Sequence, residues 1–137
     1  KSQAKLKVVA CVSEFQMDST SDCFSGFKVE QNKVLDLFKS TPGVILISGD
    51  RHFTGAYHVR GETLEVTSGP LGSGNARPRM SKDTIFRETQ GKMFSVFELD
   101  TAQNPPQIIL EVYRSGHGQI RKQSFSWDQI NGKKAIK

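Results

Sequence analysis

Apolar residues recur along this chain in three different rhythms. "LKVVACV" (6–12) and "GVILIS" (43–48) are continuous apolar runs of strand length, rich in Val and Ile, the composition of strands buried on both faces. Between them Val29, Val34, Leu35, Leu37 and Phe38 fall at helical spacing and stop at "TPG" (41–43), which predicts one amphipathic helix. Strand, helix and strand in that order predict a βαβ unit with a parallel pair.

Beyond Phe53 the rhythm shortens to alternation. "GAYHVRGETLEVTSG" predicts a hairpin turning at Arg60-Gly61, and "KMFSVFELD", "QIILEVYRSG" and "GQIRKQSFSW" predict three further strands. Two stretches carry no period. "SEFQMDSTSDCFSGF" (13–27) reads as a polar loop of the length that functional loops have, and 70–91 as a Gly-, Pro- and charge-rich surface loop carrying one short helical turn. With no repeat and no linker to divide it, residues 1–137 are expected to form a single domain, or part of one.

Composition narrows the classes. The chain has 137 residues, 36% of them hydrophobic, enough for one modest core. Its net charge of +5 is scattered over many segments, and no RNA-recognition signature, zinc-finger spacing or basic heptad accompanies it, so nucleic acid is not expected as a specific partner. No run approaches the 18 apolar residues of a membrane span. Cys11 and Cys23 show no CxxC spacing and leave one disulfide or none equally open. A chain that starts at Lys1 without Met is expected of a fragment or a processed protein.

The candidate chemistry lies where "GVILIS" breaks into "GDRH". In open α/β sheets, ligands collect beyond the carboxyl ends of strands. Asp50 and His52 supply a carboxylate and an imidazole, both suitable metal ligands, and Ser48 and Gly49 shape the turn that presents them. The competing reading makes Asp50 a cap and His52 an ordinary polar residue. The other histidines add nothing to the pair: His58 falls in a strand-like segment and His117 in the turn "SGHGQ". "GPLGSG" (69–74) lacks the lysine of a P-loop, no G-x-S-x-G surrounds Ser13, Ser48 or Ser68, and Glu62 and Glu65 read as solvated strand residues.

Taken in order, "KVVACVSEFQ", "DCFSGFKVEQNKVLDLF", "GVILISGDRHFTGAY" and "LEVTSGPL" resemble the carboxy-terminal half of the alkaline phosphatase D-like (PhoD-like) metallophosphoesterases over roughly residues 6–130. In that family a strand ends in "SGDxH" and "LTSS" or a close variant follows. The resemblance implies the carboxy-terminal half of a calcineurin-like αββα sandwich, a βαβ unit followed by antiparallel strands. It implies a phosphoric ester hydrolase acting on phosphomonoesters or phosphodiesters, in which a binuclear site, calcium with iron in many members, activates water. Asp50 and His52 would be metal ligands, Arg51 a candidate phosphate contact, and Ser13 and Thr67 would line the site from neighbouring strand ends. Such proteins are often exported.

The chain departs from the pattern at Phe24, where many relatives have tryptophan, and at "FKVEQN", where "FPxER" is usual. It also lacks the family's amino-terminal half with its Gly-Asp-x-x-Asp motif, the natural partner of this portion. The isolated chain is therefore expected to be inactive and prone to associate through an exposed sheet edge. The alternative function is a non-enzymatic, β-rich binding or interaction module built on the strands from Lys92 to Trp127, in which "SGDRH" is only a turn.

Overall fold

A computed structural model describes residues 2–15, 23–77 and 81–132. Among the described residues eight strands and two helices follow one another: β1 (Lys7–Ala10), α1 (Lys28–Lys39), β2 (Val44–Ser48), β3 (Thr54–Val59), β4 (Thr63–Thr67), β5 (Thr84–Glu88), β6 (Met93–Asp100), β7 (Gln107–Arg114), β8 (Gly118–Phe125) and α2 (Trp127–Ile130). A 3₁₀ turn at Phe24–Gly26 leads into α1, and 16–22, the middle of the predicted polar loop, lies outside the described residues. The architecture is mixed α/β, mostly sheet.

The strands form two sheets. The first has five strands in the order β1-β2-β4-β3-β5, the second three in the order β6-β7-β8. β1, α1 and β2 make the predicted βαβ unit, with β1 and β2 parallel and Val9 opposite Leu46. β2 also runs parallel to β4, which returns from β3 through a turn where Arg60 and Gly61 both have positive φ, the hairpin geometry that favours glycine. The carboxyl ends of β1, β2 and β4 therefore share one edge of the sheet.

Side-chain alternation sorts the first sheet into two faces. Val44, Leu46 and Val59 pack with Phe15 and Leu35 under α1. Ile45, Ala56, Leu64, Val66 and Phe86 face the second sheet, where Met93, Ile108, Leu110, Val112 and Phe125 close a single core. Each fully buried aliphatic side chain contributes about 1.5–3 kcal/mol, so the shared core rather than hydrogen bonding ties the sheets together. The strands from Lys92 to Trp127 do form their own antiparallel sheet, but its inner face is half of that common core.

Four expectations need correction. "LKVVACV" is an edge strand rather than a doubly buried one, with Val8 48% exposed and Val12 80% exposed. On α1, Val29 and Leu37 face solvent, and the fully covered positions are Leu35 and Gln31, whose Nε2 donates to the Phe15 carbonyl at 2.6 Å. The loop at 70–91 holds strand β5, paired with β3 and anchored by Phe86, and its described residues carry no helical turn. Trp127 opens α2 rather than ending a strand, because Ser126 and Gln129 make a reciprocal capping box around its first turn. Cys11 and Cys23 are not joined in a disulfide.

Candidate functional site

The turn after β2 is built from unusual backbone. Asp50 and His52 both adopt the left-handed region, with φ of 64° and 58°, and bracket Arg51. A non-glycine residue held there costs about 1–3 kcal/mol, a cost that persists only where surrounding structure enforces it. Three backbone hydrogen bonds hold the turn in place: Gly49 N–H to the Val12 carbonyl, Ser68 N–H to the Ser48 carbonyl, and Ala76 N–H to the His52 carbonyl at 2.9 Å. The ends of β1, β2 and β4 are thereby tied side by side.

Asp50 and His52 are exposed and line one pocket of about 240 Å³, together with Ser73 and the stretch Ser68–Leu71 that leaves β4. That stretch is fixed from below. The Thr54 hydroxyl donates to the Gly69 carbonyl and accepts from the Gly69 N–H, Ser68 Oγ donates to Ser95 Oγ at 3.0 Å, and the Gly69-Pro70 peptide is cis. A carboxylate and an imidazole lining one pocket are donors of the right chemistry for a divalent or trivalent cation. Among the described residues no group of three His, Cys, Asp or Glu side chains converges on a metal-sized site.

The other predicted residues separate from this pair. Ser48 and Thr67 stand on the opposite face of the sheet, because both share a side with Glu65, which meets the Phe15 backbone beneath α1. Thr67 is fully buried, and its hydroxyl has no hydrogen-bond partner among the described residues. Ser13 follows Val12 beside the turn but forms no part of the pocket wall. Arg51 turns inward as well: its Nε lies 3.3 Å from Glu14 Oε2, with side chains only 13% and 3% exposed. Its charge therefore faces a buried carboxylate and not the pocket.

Two residues of this neighbourhood were not foreseen. Glu65, expected to be solvated, is fully buried on β4, and a single oxygen, Oε1, accepts from Phe15 N–H and from Ser48 Oγ, each at 2.7 Å. Glu14 is likewise buried at the exit of β1. The available signal was Glu65 in the middle of "TLEVT": alternation puts it on the same face as Thr63 and Thr67, and the parallel partner β2 is apolar on that face up to Ser48. A carboxylate there has to be satisfied from within.

No protein-family model, curated protein or solved structure matches the chain. Fold and site together define a mixed α/β protein, mostly sheet, with a candidate ligand pair at the carboxyl end of a central parallel strand. Among the described residues no helix is long and apolar enough to cross a membrane.

Proposed function

We propose that this chain is the carboxy-terminal portion of a metal-dependent phosphoric ester hydrolase of the PhoD-like type, with Asp50 and His52 supplying metal ligands. One observation carries the reading: the two side chains that the motif nominates, separated by a residue that points inward, open onto the same pocket where two parallel strands end. A turn serving only to reverse the chain has no need of two strained, exposed, ligand-type side chains on one wall.

Bound metal ions would supply Lewis-acid polarisation of a phosphoryl oxygen and an activated water. The chain's own contribution is more limited. Asp50 and His52 would hold part of the coordination sphere, and Ser68–Leu71 complete the lining of the pocket they share. Two ligands do not make a tuned nucleophile, so the remaining ligands would come from an amino-terminal half, and the isolated chain is inactive in this reading. Calcium with iron as the metals, and export of the parent protein, follow from the same resemblance.

The test is made on the parent reading frame. Expressed in full, it is expected to hydrolyse p-nitrophenyl phosphate or its diester in a metal-dependent way, with Asp50→Asn or His52→Ala lowering kcat/KM by about a hundredfold. Metal-dependent hydrolysis by the 137-residue chain alone, abolished by His52→Ala, would overturn the division of the site between two halves. Full activity of the parent with both residues replaced would overturn the assignment itself.

A further inference from the structure

We infer that Glu14 and Glu65 are positioning residues for the Asp50–His52 pair, acting through Arg51 and Ser48. The inference rests on the proposed reading only in giving the pair a metal to bind.

The turn that carries the pair is held from its buried side. Arg51 lies between the two left-handed residues, and its guanidinium is engaged by Glu14 below the surface. With the middle side chain drawn inward, its two neighbours are turned outward together. This is how a three-residue turn brings side chains two apart onto one wall. A largely desolvated ion pair is strongly coupled to its surroundings, and removing one member leaves the other charge buried.

Glu65 sets the register of that latch. Its Oε1 receives Phe15 N–H, the peptide group that follows Glu14, and Ser48 Oγ–H, from the residue that begins the turn. One oxygen atom thus fixes the β1 exit, which carries Glu14, against the β2 exit, which carries Arg51. Gly49 N–H to the Val12 carbonyl closes the same gap through the backbone, at a long 3.4 Å. Cys11 N–H to the Ile47 carbonyl at 2.8 Å aligns the two strands just before the turn, and the Glu65 contacts carry that alignment past the strand ends.

A purely structural role would weaken the whole fold in proportion. A positioning role would loosen the turn specifically. The two separate in native-state amide exchange on the full chain, read at Gly49, Ser68 and Ala76, whose N–H groups bond the turn and its neighbours, against Leu110 and Val112 in β7. The variants are Glu14→Gln, Glu65→Gln, and the double variant Glu14→Gln/Arg51→Met, which removes both charges of the pair together.

Expected is a rise of about tenfold or more in exchange at the turn with β7 unchanged, in the double variant as well as the single ones. Mn2+ affinity, followed by broadening of the His52 ring resonances, is expected to fall about tenfold in parallel. Turn exchange that stays at the wild-type rate, or that rises only together with β7, would overturn the inference; so would recovery of wild-type turn exchange in the double variant. If the wild-type chain binds no Mn2+ while the turn still loosens, the metal reading fails and the positioning stands.

Discussion

Ser48 and Glu65 meet across two parallel strands, the Ser48 hydroxyl donating to Glu65 Oε1 at 2.7 Å in a region closed to solvent. The same oxygen takes the Phe15 N–H, so one carboxylate satisfies donors from two segments distant in sequence. Glu65→Ala strands both donors and opens a void, and is expected to cost about 3 kcal/mol in denaturant unfolding. Ser48→Ala removes one donor while Phe15 remains, and is expected to cost about 1 kcal/mol. Because the residues touch, the double substitution should fall short of the sum.

Gly43 immediately precedes β2 with φ of 77°, and a Cβ at this position would strike the Lys5 carbonyl oxygen and the Trp127 ring. Its N–H also bonds Asn131 Oδ1 at 2.9 Å, so β1, β2 and α2 converge on a residue with no room for a side chain. Gly43→Ala is expected to lower stability by about 3 kcal/mol or more. Gly61 has a similar φ of 71° but open space around it, and Gly61→Ala should cost only about 1 kcal/mol. Thermal unfolding of the two variants side by side checks the difference.

His58 is held below its ordinary pKa of 6.5, chiefly because burial disfavours the charged ring; the Gln129 carbonyl at 2.6 Å and nearby Asp83 oppose that shift. Above pH 6.5 the ring is neutral in both states and stability is complete. As the pH falls below 6.5 the unfolded chain takes up the proton first, so stability declines until the lower folded pKa is passed. His58→Gln should flatten this part of the curve, measured as Tm between pH 8 and 5.

At the free edge of β1, Lys7 and Cys11 bond β2, so by alternation the peptide groups of Val8 and Ala10 face outward. The apolar side chains of Val8 and Val12 are exposed beside them, while the Lys7 ammonium folds back onto the Ala4 and Pro42 carbonyls instead of guarding the edge. Concentration-dependent association is expected in sedimentation, and Val8→Lys with Val12→Lys should suppress it. A wild-type chain that stays monomeric at high concentration would contradict this.

The βαβ unit, the hairpin at Arg60-Gly61 and the three last strands were legible because each has a clean period and a turn residue at its end. β5 was not: five residues of "TIFRE" inside a polar stretch are too short a pattern, and pairing with β3 decides them. Asp50 and His52 were legible as a pair because strand-end chemistry is local in sequence. Glu14 and Glu65 were not, since burial of a carboxylate depends on which segments pack over it. The same limit applies to Arg51, whose direction is set by Glu14, 37 positions earlier by residue number.

The most direct test of the central claim is Mn2+ titration of the intact chain with residue-by-residue readout of paramagnetic broadening. Broadening is expected to centre on Asp50, His52 and Ser68–Leu71 and to be lost on replacing Asp50 and His52 with Asn and Ala. Broadening centred instead on Glu98 and Glu111 of the second sheet, or none at the His52 ring, would contradict the assignment of the pair as metal ligands.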